Sequence, residues 1–165
     1  MTDGIFDDDD ITHLRRCIEL ARQATRSGNE PFGSVLVGAD GRVRFEDHNR
    51  TAGGDQTRHP EFEIARWAAE NLGPDERAGA TVYTSGEHCA MCSAAHAWVG
   101  LGRIVFAASG AQYADWMAEI GAAPSPVATL SIREVAPGVT VAGPVLELAE
   151  EMRDIHRDFR RSRQG

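Results

Sequence analysis

Two short clusters carry residue types suited to metal and proton chemistry, His59-Pro60-Glu61 and, further along, Cys89-Ala90-Met91-Cys92. Each alone is weak. A lone C-x-x-C also serves as a thioredoxin-like dithiol or as half of a zinc ribbon, and His with Glu two positions on is common by chance. Together they offer one imidazole and two thiols, a donor set that suits Zn²⁺. With His59, Cys89 and Cys92 as ligands, the fourth tetrahedral position stays open, as in catalytic rather than structural zinc sites. The remaining cysteine, Cys17, lies in the apolar phase of a helix and reads as core. Glu61 can lie beside the metal without binding it. It is therefore the candidate catalytic residue, a carboxylate that takes a proton from acidified water and passes it to substrate and leaving group.

These side chains have to be delivered by a scaffold, and the hydrophobic pattern outlines one. Ile11, Leu14, Cys17, Ile18 and Ala21 recur near a 3.6-residue period, predicting a first helix over Ile11 to Ala24 that stops at Ser27-Gly28-Asn29. Ser34 to Val37, a turn at Ala39-Asp40-Gly41 and the alternating Arg42 to Glu46 read as an antiparallel hairpin. Thr51 to Arg58 is a polar loop. Pro60 then opens a second helix that runs through Asn71 and ends at Gly73-Pro74. Thr81 to Thr84 is a strand, Cys89 to Val99 a small-residue helix closed by Gly100, and Arg103 to Ala107 an apolar strand, together a βαβ unit. A helix over 111–120, short strands or loops over 124–143 and a closing helix over 144–161 complete the reading. Both metal-ligand clusters thus fall at helix starts, where the partial positive charge favours thiolates.

Length and charge narrow the function classes. A chain of 165 residues with 42% hydrophobic and 25% charged residues predicts one globular domain over residues 11–165, after an acidic leader over residues 1–10 that ends in Asp7 to Asp10. The net charge of −8 argues against general attraction to nucleic acid or anionic lipid. No stretch reaches the ~20 apolar residues of a membrane span, and the acidic N-terminus is unlike a signal peptide. A cytoplasmic protein is expected. Three cysteines do not suggest a disulfide framework.

The combined motif resembles the H-x-E and P-C-x-x-C signature of zinc-dependent nucleobase deaminases. From Ile11 to Ala108 the chain is similar to the cytidine and deoxycytidylate deaminase superfamily, nearest to its guanine deaminase and tRNA adenosine deaminase branch. Glu30-Pro31-Phe32-Gly33-Ser34-Val35 is similar to the P-F-G-A-V stretch of guanine deaminases, and Asn49-Arg50-Thr51, Asp55 and Thr57 also match. The resemblance implies a three-layer αβα fold around a mixed five-stranded sheet, bound Zn²⁺ and a homodimer. It also implies hydrolytic deamination of a free nucleobase or related amino-substituted heterocycle, guanine-like or a modified purine, with release of ammonia. By the same resemblance Asn49 contacts the base, Phe32 walls the pocket, and Asp115 and Trp116 lie near its mouth. The alternative is a tRNA-specific adenosine deaminase.

Two positions depart from the pattern. Pro60 stands where a small residue such as Ala is frequent, so an N–H that could hold a base oxygen is missing, which puts guanine in doubt. His88 stands where Pro is usual. It reads as a fourth ligand, a hydrogen-bond partner of a ligand or a substrate contact, and the partner or pocket-wall role is favoured because sequence neighbours rarely both reach one tetrahedral ion. Trp67 and Trp98 are assigned to core or dimer interface. Arg153, Arg157, Arg160, Arg161 and Arg163 make a basic last helix, which supports an RNA contact; Glu147, Glu150 and Glu151 one turn earlier support a solvated helix instead. Nucleic acid is not the expected partner.

Overall fold

The computed structural model describes residues 5–164. Its elements are α1 (Asp8–Arg26), β1 (Gly33–Val37), β2 (Val43–His48), a 3₁₀ turn (Thr51–Gly53), α2 (Pro60–Asn71), α3 (Pro74–Ala78), β3 (Thr81–Gly86), α4 (Ala90–Trp98), β4 (Ile104–Ala108), α5 (Gly110–Glu119), α6 (Ile132–Val135), β5 (Val141–Ala142) and α7 (Leu146–Gln164). The strands form one sheet in the order β2-β1-β3-β4-β5. β1 is antiparallel to β2 and β3, whereas β3, β4 and β5 run parallel, so the sheet is mixed.

Helices cover both faces, which explains why β1 and β4 are apolar without alternation. Val35, Tyr83 and Val105 pack with Leu14, Ile18, Leu148 and Met152 of α1 and α7. Their neighbours Leu36 and Val82 point the other way, onto Ile64 and Ala68 of α2 and Leu101. Three layers result. Gly33 is required by this packing, since a Cβ there would collide with the Cys17 carbonyl and the Ala21 nitrogen of α1.

The structure differs from the sequence reading in local detail. The acidic run is not a leader: Asp7 caps α1 by accepting from the Asp10 N–H, Asp8 to Asp10 are helical, and Asp10 is buried. Residues 1–4 of that segment lie outside the described residues. Gly73-Pro74 ends α2 but also starts the short α3, because proline at a first helical position costs no hydrogen bond. Within 124–143 a serine cap starts α6, and β5 joins β4 in parallel. Among the described residues no helix is long and apolar enough to cross a membrane.

Candidate active site

The sheet delivers the site at the carboxyl end of β3. Cys89 is the N-cap of α4 and Cys92 lies in its first turn. His59 is the N-cap of α2, with Pro60 at the first helical position, where its missing N–H is not needed. Because α2 packs along α4, the two helix starts meet. His59 Nδ1 lies 3.6 Å from the Sγ atoms of both Cys89 and Cys92. A tetrahedral ion with Zn–N of about 2.05 Å and Zn–S of about 2.3 Å requires an N···S edge of about 3.6 Å. The donor set therefore fits zinc in chemistry and in spacing, and these three residues are the cluster of possible ligands that the fold assembles among the described residues.

The local charges agree. The hydrogen bond with Cys92, and then that with His59, hold the Cys89 thiol down to about 4, against burial. The bond to Cys89 raises the His59 imidazole to about 9, and burial opposes it. Cys92 is pushed upward, first by the neighbouring Cys89 and then by burial. A thiolate is thus already favoured, and a cation entering the site would displace the remaining protons.

Glu61 is the second residue of α2, in its first turn, buried, with 6% of its surface exposed. Burial raises its carboxyl, while His59 and the Thr84 hydrogen bond pull it back. Ser34 Oγ lies 3.1 Å and Thr84 Oγ1 2.8 Å from Glu61 Oε1, and the two hydroxyls are 2.9 Å apart. Each hydroxyl has one proton, and Thr84 Oγ1 also lies 2.9 Å from the Gly86 carbonyl, so the Ser34 and Thr84 protons are shared among Glu61, Gly86 and each other. The two hydroxyls meet the carboxylate at Oε1.

Other predicted site residues separate into two groups. Asn49 is buried, and its Oδ1 accepts from the Thr51 N–H and hydroxyl at 3.0 and 2.8 Å, leaving the amide NH₂ for a ligand. Its own N–H donates to the Phe32 carbonyl. The Phe32 ring packs beside Gly86 and, edge-on or tilted, against Tyr113 and His156. Pro60 is buried at the helix start. His88 stands outside the ligand cluster: its ring lies edge-to-face on His96, and both its nitrogens are buried without a partner among the described residues. Asp115 is exposed on α5, and Trp116 is buried in the core with its ring near His156 of α7. Trp98, expected in core or interface, is 88% exposed, which removes the core reading.

Sequence reasoning missed Ser34, Thr84 and His156. The first two had a readable signal, a hydroxyl inside an otherwise apolar strand, which is costly unless it has a partner. His156 had none. It is a lone histidine on an amphipathic helix, and burial, then Arg160, lowers its imidazole to about 3.

The cytidine and deoxycytidylate deaminase zinc-binding region matches residues 7–108. The chain belongs to this family. It is 36% identical over 100 residues to a probable cytosine deaminase of Schizosaccharomyces pombe, covering 61% of this chain and 60% of that protein. To a tRNA-specific adenosine deaminase of Agrobacterium fabrum it is 40% identical over 96 residues, 55% of this chain and 62% of that one. The chain thus spans about 60% of the length of these curated relatives. The solved guanine deaminase of Bacillus subtilis superposes with a TM-score of 0.57 at 28% identity, covering 80% of this chain and 91% of that one. The fold is that of this deaminase family, and the relatives' names give different substrates.

Proposed function

We propose that this family member deaminates a free nucleobase or related amino-substituted heterocycle, guanine-like or a modified purine, with His59, Cys89 and Cys92 holding Zn²⁺. The observation that carries this reading is the buried Glu61, fixed through one oxygen beside the ligand set. Zinc bound there would supply Lewis acidity, which makes water a nucleophile near neutral pH. Glu61 takes a proton from the attacking water at Oε2 and gives it to a ring nitrogen of the substrate. It then carries the second water proton to the exocyclic amine. The carbon gains a C–O bond, the C–N bond breaks and ammonia leaves. Ser34 and Thr84 keep the carboxylate from swinging away between these transfers. The Asn49 amide NH₂ donates to the ring, and Phe32, backed by Tyr113 and His156, forms an apolar wall.

The state of the basic helix supports a free base over tRNA. Arg153 pairs with Glu119, Arg157 lies near Asp154, Arg160 binds Glu30 at 2.6 Å and Arg163 donates to the Gly28 carbonyl. Most of the arginines that a phosphate backbone would need are already engaged within the chain. The test is ammonia release from zinc-loaded protein against guanine, adenine, cytosine, modified purines, aminotriazines, their nucleosides and tRNA. Turnover of a free base that changes little between 50 and 200 mM salt is expected. Turnover of tRNA alone, falling by about 10³-fold or more over that range, would overturn the reading.

A further inference from the structure

Glu87 lies two residues before Cys89, and its carboxylate joins parts of the fold that are distant in sequence. Its N–H donates to the Ala108 carbonyl at 2.8 Å, extending the pairing of β3 with β4. Its Oε1 accepts from the Gly110 N–H at 3.0 Å and its Oε2 from the Ile132 N–H at 2.9 Å. Gly110 opens α5 and Ile132 opens α6. Helix starts leave N–H groups without intrahelical partners and carry partial positive charge. Ser109 and Ser131 already cap the Gln112 and Glu134 N–H groups, so Glu87 meets a different donor of each helix. One carboxylate therefore closes two helix starts from the turn that bears a metal ligand.

The clamp also reaches an aromatic cluster. α5 carries Tyr113 and Trp116, whose rings pack on His156 of α7, and Tyr113 also meets Phe32. The Cys89 turn and this aromatic wall are thus fixed to one side chain. We propose that Glu87 is a positioning residue that holds Cys89 in register with His59 and with the α5 wall. Without it, two N–H groups lose their acceptor and the turn can shift against α5 and α6. A ligand set tolerates only about 0.5 Å of such slack. The inference rests on the metal site of the proposed function, and its test reads metal binding rather than turnover.

The experiment compares wild type, Glu87→Gln, Glu87→Ala and Ser131→Ala. Zinc affinity is measured by competition with a chromophoric chelator, the Co²⁺-loaded absorption spectrum is recorded, and melting is followed by circular dichroism. Glu87→Ala is expected to weaken zinc about 10-fold or more and to alter the Co²⁺ spectrum. Glu87→Gln, which keeps one acceptor, should fall between it and wild type, and carries the test if the alanine variant does not fold. Ser131→Ala, which removes the α6 cap but leaves the clamp, should melt earlier with wild-type zinc affinity and spectrum. Glu87 variants that melt earlier yet bind zinc and Co²⁺ as wild type does would overturn the inference alone, as would equal metal effects in Ser131→Ala. A wild-type chain that binds neither ion would overturn the functional reading together with it.

Discussion

Thr84 Oγ1 lies 2.8 Å from Glu61 Oε1, so β3 holds Glu61 of α2 by a direct hydrogen bond. Ser34 of β1 reaches the same oxygen at 3.1 Å. This pairing is possible because β1 and β3 are neighbours, with Ser34 opposite Thr84 in the ladder. A carboxylate buried to this extent is otherwise costly, and hydroxyl donation to Oε1 offsets part of that cost.

Glu61→Gln should keep fold and zinc but lose turnover by about 10²- to 10⁴-fold, the range a positioned acid-base group contributes. Thr84→Val tests the support separately. Losing one hydrogen bond to a charged group, about 1.5–3 kcal/mol, should lower kcat by about 10- to 100-fold with little change in zinc content. Steady-state kinetics and metal analysis of both variants check this, and wild-type turnover in Glu61→Gln would contradict the assigned role.

Cys89→Ala leaves His59 and Cys92 as the remaining ligands. Zinc should be lost on dialysis, along with activity, as measured by elemental analysis against wild type. Stoichiometric zinc in this variant would mean that the ligand set is wrong.

Pro60 offers no N–H at the start of α2. In Pro60→Ala that group returns without an intrahelical partner and becomes available to a base carbonyl. Turnover of guanine should rise relative to that of a base lacking a carbonyl oxygen, read as the ratio of the two kcat/KM values. An unchanged ratio would show that this position does not read the base.

Asp10 ties α1 to the sheet by accepting from Tyr83 at 2.8 Å and from two nitrogens of Arg103 at 2.8 and 3.1 Å. Burial would raise its carboxyl, but the bonds from Arg103, Tyr83 and the Asp7 backbone outweigh that and hold it below its ordinary 3.8. A depressed carboxyl stabilises the fold above its ordinary range, and that stability is lost as pH falls through the folded value. Asp10→Asn should therefore cost about 2–3 kcal/mol at pH 7, or roughly 5–10 °C in Tm. The gap should close as pH drops below about 4. Thermal melts from pH 7 to pH 3 check the sign; a gap that widens in acid would contradict it.

Much of the site was legible because its main residues depend on local sequence. His59, Cys89 and Cys92 stand at helix starts that proline, turn residues and hydrophobic period mark, and Glu61 follows at fixed helical spacing. Less legible were groups whose role is set across the sheet. Ser34 and Thr84 matter only because β1 pairs with β3, and the Glu87 carboxylate only because α5 and α6 begin beside it. The Asp7 to Asp10 run shows the reverse case. Composition marked it as a solvated leader, yet Arg103 and Tyr83, far away in sequence, make Asp10 a buried anchor.

By itself, then, the sequence determined the donor atoms and the elements that carry them, since residue type and short-range spacing suffice for these. The tertiary structure decided which hydroxyls hold Glu61, that most arginines of the basic helix pair within the chain, that His88 turns onto His96 and that Phe32 meets His156. Those facts depend on strand order and helix packing, which bring together residues that no local spacing relates.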